Sequence, residues 1–141
     1  MNQPVSLFGI IGDPISHTKS PLMHHAGFKK IGYNGVYIPF HIIPSELEKG
    51  IGALKTLSIK GFNVTIPHKE TIIPFLDEVD PLAKRIGAVN TVINQHGRLK
   101  GFNTDGVGFT MSVKHELGVS FSNKKIIIIT TSIAPKAPPG N

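Results

Sequence analysis

Short apolar runs of strand length alternate with helix-like segments, and this alternation constrains the fold more than any other feature of the sequence. Each apolar run ends near a glycine or proline, and the following segment begins with a helix-start signal or spaces its apolar residues for one helical face. The predicted strands span residues 5–11, 36–41, 61–66, 88–94 and 98–102. The predicted helices span residues 21–30, 67–76, 80–86, a segment that opens at 44, and a segment that ends at 117. Such alternation predicts an α/β fold, a three-layer αβα sandwich around a mostly parallel sheet.

One connection in this series is too short for a parallel crossover. The runs 88–94 and 98–102 are joined only by Gln95-His96-Gly97, which is typical of a β-hairpin. We therefore expect one antiparallel hairpin within the sheet. The segment that opens at 44 places Leu47, Ile51 and Leu54 on one helical face, which predicts that this face is buried.

Composition narrows the possible function classes. The chain contains no cysteine, which excludes disulfides and thiolate zinc sites, and its seven histidines show no ligand spacing, so no metal is expected. The formal net charge of +6 suits either nucleic acid or a small anion in a cleft. Because the basic residues are scattered and not interleaved with aromatic residues, we expect a small-molecule ligand and no nucleic acid. No signal peptide or membrane-spanning run is evident, so a cytoplasmic location is predicted.

The first candidate site segment, Ser16–Pro21, follows the first predicted strand. Ligands of open α/β sheets bind beyond the carboxyl ends of strands, where the hydroxyls of Thr18 and Ser20 would suit a polyol or a carboxylate. The alternative is purely structural: Ser20 caps the helix that Pro21 begins, and Thr18 forms a turn.

The second candidate segment runs from Asn63 to Lys69. Alternation along the strand places Asn63 and Thr65 on one face, and Lys69 follows in the first turn of the next helix. There the helix dipole opposes an ammonium charge, which suits a residue that exchanges a proton. A solvated surface lysine is the alternative.

Two further polar residues are candidates: Asn90, inside the predicted strand 88–94, and Asp105, after the predicted strand 98–102. Asn90 sits in an apolar run and needs hydrogen-bond partners, either from a ligand or from the protein core. Asp105 sits where a strand leads into a helix; its carboxylate could hold Lys69 in place, or it could serve only as a helix cap.

Taken together and in order, these segments resemble the signature segments of shikimate dehydrogenases. The matching segments are SHTKSP (16–21), NVTIPHK (63–69), GAVNT (87–91) and GFNTDG (101–106). The resemblance extends over about residues 5–129. It implies the NADP-dependent, reversible reduction of 3-dehydroshikimate to shikimate in the chorismate pathway of aromatic amino-acid biosynthesis.

The resemblance also implies a role for each candidate residue. Lys69 would be the acid–base residue, paired with Asp105. Thr18 and Ser20 would hold the substrate carboxylate, and the ring oxygens would be bound by the remaining group: Thr65, Lys69, Asn90 and Asp105. Because Thr18 stands where serine is common, the choice between shikimate and quinate stays open.

The expected domain organisation follows from the same resemblance. Residues 1–123 would form the shikimate-binding catalytic domain without the C-terminal helix that closes it, residues 124–130 the first strand of an NADP-binding Rossmann domain, and residues 131–141 an irregular tail. The chain contains no G-x-G-x-x-G, so no cofactor-binding residue is predicted and the Rossmann domain is expected to be missing. A truncated, inactive or impaired enzyme is the expectation, with a non-catalytic shikimate- or quinate-binding module as the alternative. Apolar surface left without its closing helix would favour a homo-oligomer.

Overall fold

The computed structural model describes residues 4–127 of the chain. The strands are β1 (Ser6–Gly12), β2 (Gly35–His41), β3 (Gly61–Val64), β4 (Glu78–Val79), β5 (Thr91–Gln95) and β6 (Arg98–Phe102). The α-helices are α1 (Ser20–Ile31), α2 (Leu47–Thr56), α3 (His68–Thr71), α4 (Pro81–Ile86) and α5 (Asp105–Leu117). Single 3₁₀ turns span Pro44–Glu46 and Ile73–Phe75. The chain divides into two compact units after Gly108, and the whole sheet belongs to the first.

The strands form one mixed six-stranded sheet in the order β2-β1-β3-β5-β6-β4. β1 pairs in parallel with β2 and β3, and β4 pairs in parallel with β6, whereas β5 runs antiparallel to both of its neighbours. The α/β prediction and the predicted hairpin are therefore confirmed. His96 and Gly97, with φ angles of 54° and 87°, form the hairpin turn, because Gln95 already pairs with Arg98.

The reversed direction of β5 determines which residues meet at one sheet edge. Thr91, at the start of β5, pairs with Asn63 near the end of β3 and with Phe102 at the end of β6. Asn90, just before β5, extends both ladders: its carbonyl accepts from the Val64 amide at 2.9 Å, and its amide donates to the Phe102 carbonyl at 3.0 Å. The ends of β3 and β6 and the beginning of β5 thus lie side by side.

Successive residues of β1 contribute to two different apolar clusters. Ile11 belongs to the larger cluster, which contains the predicted apolar face of α2, namely Leu47, Ile51 and Leu54. Ile10 belongs to a smaller cluster with Tyr37, against which Phe28 of α1 packs. Successive residues of a strand face opposite sides of a sheet, so the two clusters lie on opposite faces.

Some elements differ from the sequence-based prediction. The helix predicted for 67–76 is divided into α3 and a 3₁₀ turn, because Pro74 lacks the amide hydrogen that a continuous helix needs. The strand predicted for 61–66 ends at Val64, and the one predicted for 88–94 begins only at Thr91. β4 was not predicted, since a strand of two residues shows no alternation.

The start of α1 is a further correction. Ser20 is the first residue of the helix rather than its cap, and Lys19, at the cap position, makes no side-chain cap. The Thr18 hydroxyl instead accepts from the Ser20 amide at 3.2 Å. The Ser20 amide is therefore satisfied by Thr18, without a capping side chain from residue 19.

The C-terminal predictions remain largely untested. Residues 124–127 of the strand predicted for 124–130 are not in a strand, and the remainder of it, like the tail 131–141, lies outside the described residues. Within the described residues, none of the helices has the length and apolar character needed to cross a membrane.

Close packing of β1 against β2 predicts that Gly9→Ala destabilises the fold. A Cβ at Gly9 would lie 2.5 Å from the Ile38 carbonyl oxygen, which is backbone and cannot rotate away. We expect the free energy of unfolding to fall by about 1–3 kcal/mol in urea denaturation. Gly52→Ala on the exposed side of α2 is the matched control, since a Cβ there meets nothing within 4 Å. Because alanine favours a helix over glycine, this change should raise the free energy of unfolding by up to about 1 kcal/mol. Equal stability of the two variants would contradict this packing.

Candidate functional site

A cavity of about 230 Å³ lies where β3 and β6 end and β5 begins. All of the residues predicted for the site line it except Thr18, whose hydroxyl donates to the Ser20 Oγ at 3.1 Å. The complete lining is Ile10, Ser20, Met23, His24, Asn63, Val64, Thr65, Lys69, Asn90 and Asp105. The structure therefore gathers predicted site residues from four separate stretches of sequence; their individual roles remain predictions.

Lys69 and Asp105 form an ion pair in this cavity. The Lys69 Nζ donates to the Asp105 Oδ2 at 2.6 Å, and the two side chains are 33% and 54% exposed. The hydrogen bond from Lys69 is the main reason that the pKa of Asp105 is lowered. Partial burial acts in the opposite direction, while a hydrogen bond from Asn90 and the charge of Lys69 lower the pKa further.

The backbone that carries Lys69 is fixed from two sides. The neighbouring side chain, His68, is fully buried, and its Nε2 donates to the Ile42 carbonyl at 2.6 Å. The Lys69 carbonyl itself accepts from the Val89 amide at 2.7 Å. The single turn of α3 is thereby anchored to the rest of the first unit, and the ammonium projects from a fixed base.

Asn90 holds Asp105, the other member of the ion pair, in place. Its side-chain amide donates to the Asp105 Oδ1 at 2.7 Å and to the Thr104 Oγ1 at 2.9 Å, and its Oδ1 accepts from the Thr104 amide at 3.0 Å. The residue is only 8% exposed. Asn90 is thus both a satisfied, nearly buried asparagine and a residue that lines the cavity.

Asn103, which the sequence analysis did not single out, performs the capping that was considered for Asp105. The Asn103 Oδ1 accepts from the Asp105 amide at 3.0 Å, and its Nδ2 donates to the Ala88 carbonyl at 3.0 Å. An Asx residue two positions before the first residue of a helix is a recognisable signal for this role. Because Asn103 supports the start of α5, the Asp105 carboxylate is used by Lys69 and Asn90.

Sequence reasoning also missed His24 and Tyr37. His24 lines the cavity and stacks on the Tyr37 ring, with centroids 4.1 Å apart, while the His25 Nε2 accepts from the Tyr37 amide at 3.0 Å. Partial burial lowers the pKa of His24, with a smaller contribution from His25. The signal was available, because His24 lies four residues after Ser20 and so on the same face of α1.

The arrangement suits a small, oxygen-rich anion more than a metal ion. The ammonium, carboxylate, hydroxyl and amide groups can bond several substrate oxygens, and the ammonium can give up a proton. No group of three or more His, Cys, Asp or Glu side chains able to hold a metal occurs within residues 4–127.

Comparison with known proteins gives one consistent family. Residues 10–92, more than half of the chain, match the family described as the shikimate dehydrogenase substrate binding domain. The chain is 49% identical over 123 residues to the shikimate dehydrogenase (NADP(+)) of Lysinibacillus sphaericus, which covers 86% of this chain and 45% of that protein. A second such enzyme, from Caldanaerobacter subterraneus, is 46% identical, and the match covers 97% of this chain and 49% of that protein. The chain spans slightly under half the length of these curated relatives.

Solved structures agree with this result. The crystal structure of shikimate dehydrogenase from Aquifex aeolicus has a TM-score of 0.80 and 46% identity, and the match covers 84% of this chain and 44% of that chain.

The lowered pKa of Asp105 predicts a specific pH dependence of stability. A carboxyl group whose pKa is lower in the folded state contributes stability above its ordinary pKa of 3.8, and this contribution is lost as the pH falls through the lowered value. Asp105→Asn should therefore lose less stability than the unaltered chain between about pH 5 and pH 3 in urea denaturation. The difference should be small, because the side chain is half-exposed. Glu48→Gln on the exposed side of α2 is the control, and a steeper loss of stability in Asp105→Asn than in the unaltered chain would contradict the prediction.

Proposed function

Because this chain belongs to the family of shikimate dehydrogenase substrate-binding domains, we propose that it binds shikimate and 3-dehydroshikimate. We propose further that it supplies the proton-transfer residues for their NADP-dependent interconversion. The observation that carries the proposal is the 2.6 Å contact between Lys69 and Asp105 at the cavity where β3, β5 and β6 meet. Similarity to enzymes named shikimate dehydrogenase (NADP(+)) supports the choice of substrate and cofactor.

Lys69 is proposed as the acid–base residue. An ammonium has three protons, and the bond to Asp105 uses one, which leaves others for a substrate oxygen. During reduction, Lys69 protonates the carbonyl oxygen as it becomes an alkoxide, and during oxidation it takes the proton back. The Asp105 carboxylate orients the ammonium, so the cation is already in place where negative charge develops.

The other predicted residues are proposed to bind the substrate. Thr18 and Ser20 hold the carboxylate, and the start of the α1 helix adds a partial positive charge behind them. Thr65 and Asn90, together with the ion pair, bind the ring oxygens. The net charge of +6 also favours the approach of an anion.

The described residues do not suit the dinucleotide. When bound, the dinucleotide would supply the hydride for the carbonyl carbon. The sequence has no G-x-G-x-x-G turn to hold it, and β1 leads into Asp13-Pro14 rather than a glycine turn. We therefore assign the binding site of the hydride donor to residues outside 4–127. The three-layer αβα arrangement, the cytoplasmic location and the domain boundaries at 123 and 130 belong to the same proposal.

A non-catalytic module that binds shikimate or quinate is the alternative, because it would use the same contacts. Sequencing the coding region beyond codon 130 separates the two. A reading frame for a dinucleotide-binding domain supports the dehydrogenase, whereas an intact stop codon after 141 supports the module.

Removing either charge of the ion pair should weaken shikimate binding. We expect Lys69→Met and Asp105→Asn to raise the dissociation constant at least about tenfold in titration calorimetry, because each removes a charged hydrogen-bonding group. Lys49→Met, a change of the same size and charge on the exposed side of α2, should leave it unchanged. Unaltered affinity in Lys69→Met, or no heat with millimolar shikimate and the folded unaltered chain, would contradict the proposal.

The 141-residue chain alone should show no shikimate-dependent reduction of NADP⁺. The reason is the lack of a dinucleotide turn in its sequence. Absorbance at the nicotinamide band measures the reaction, with the enzyme of Lysinibacillus sphaericus as positive control. Turnover by the rigorously purified chain would show that the hydride donor binds where no site is assigned.

A further inference from the structure

A directional series of hydrogen bonds leads from Tyr37 to Asp105. The Tyr37 hydroxyl donates to the Asn63 Oδ1 at 2.8 Å, and the Asn63 Nδ2 donates to the Thr91 Oγ1 at 3.1 Å. The Thr91 hydroxyl donates to the Asn90 Oδ1 at 3.0 Å, and the Asn90 Nδ2 donates to the Asp105 Oδ1 at 2.7 Å. Each donor points toward the carboxylate that receives Lys69.

The direction of this series depends on the orientation of two side-chain amides. Rotation of an asparagine amide by half a turn exchanges its donor and its acceptor. Asn63 is oriented at both ends, because its oxygen receives the Tyr37 hydroxyl and its nitrogen donates to the Asn90 carbonyl at 3.2 Å. With Asn63 so oriented, the Thr91 hydroxyl accepts from it and is left to donate to Asn90.

Tyr37 is itself a fixed donor. The residue is 3% exposed, its ring stacks on His24 at an interplanar angle of 8°, and its backbone amide donates to the His25 Nε2 at 3.0 Å. Burial raises the pKa of Tyr37 to about 12, against a smaller opposing effect of a hydrogen bond with Ser20. The hydroxyl therefore keeps its proton at neutral pH and can donate to Asn63.

We propose that Tyr37 is a positioning residue of the site: through Asn63, Thr91 and Asn90 it holds the Asp105 carboxylate in the orientation that receives Lys69. The inference rests on the proposed function, since it assigns Tyr37 to the binding and proton-transfer site. Tyr37 does not need to touch the substrate. Its effect is transmitted by the orientation of amide groups.

Replacement of the tyrosine hydroxyl tests this role in the ligand-free chain. In Tyr37→Phe, the pKa of the Asp105 carboxyl should rise toward its ordinary value, as measured by carbon NMR of the carboxyl resonance, which Asp105→Asn identifies. Tyr33→Phe is a matched control, because it is the only other tyrosine and its hydroxyl donates to the Ser6 Oγ at 2.9 Å, outside the series. Identical Asp105 titrations in Tyr37→Phe and Tyr33→Phe would overturn the proposal.

A second variant covers the case in which Tyr37→Phe does not fold. Thr91→Val interrupts the series at its middle and should raise the Asp105 pKa in the same direction. An Asp105 titration unchanged by Thr91→Val would equally overturn the proposal.

Shikimate affinity gives an independent measurement. Tyr37→Phe should raise the dissociation constant about 3- to 10-fold, the effect of one hydrogen bond, and Tyr33→Phe should not. If the series acts as one unit, the double variant Tyr37→Phe/Thr91→Val should raise the dissociation constant for shikimate little more than the more affected single variant does. Full additivity would contradict a series. If the unaltered chain fails to bind shikimate, the proposed function fails, while the carboxyl titration still decides the role of Tyr37.

Discussion

The hydrogen-bonded ion pair between Lys69 and Asp105 is the interaction on which the rest of the site depends. Both side chains are substantially exposed, and exposed ion pairs contribute at most about 1 kcal/mol, so the pair does not hold its own geometry. The nearly buried groups behind it do: His68 anchors the turn that carries the lysine, and Asn90 anchors the carboxylate. The cation can therefore face an open cavity and still occupy a defined position.

Sheet topology explains why these groups meet. β3 and β6 run in the same direction, so Lys69 and Asp105 both follow strands that end at one edge. The strand between them is reversed, and its beginning brings Asn90 to that same edge. In an entirely parallel sheet, Asn90 would lie at the opposite end. The single antiparallel strand thus supplies the group that orients the pair.

The sequence predicted the features that are local or periodic. Leu47, Ile51 and Leu54 reveal the buried face of α2 by their spacing, and the short link around His96 reveals the hairpin. The candidate site residues were found because they lie in or just after predicted strands and match the segments of a known family. The series that begins at Tyr37 could not be predicted, because it depends on the pairing of Asn63 with Thr91, and no local pattern specifies that register.

A crystal structure of this chain with shikimate tests the central claim most directly. The account predicts that ring oxygens lie within hydrogen-bond distance of the Lys69 Nζ and the Asp105 carboxylate, with the substrate carboxylate against the hydroxyls of Thr18 and Ser20. Shikimate bound away from this cavity, or bound with its own carboxylate paired to Lys69, would contradict it.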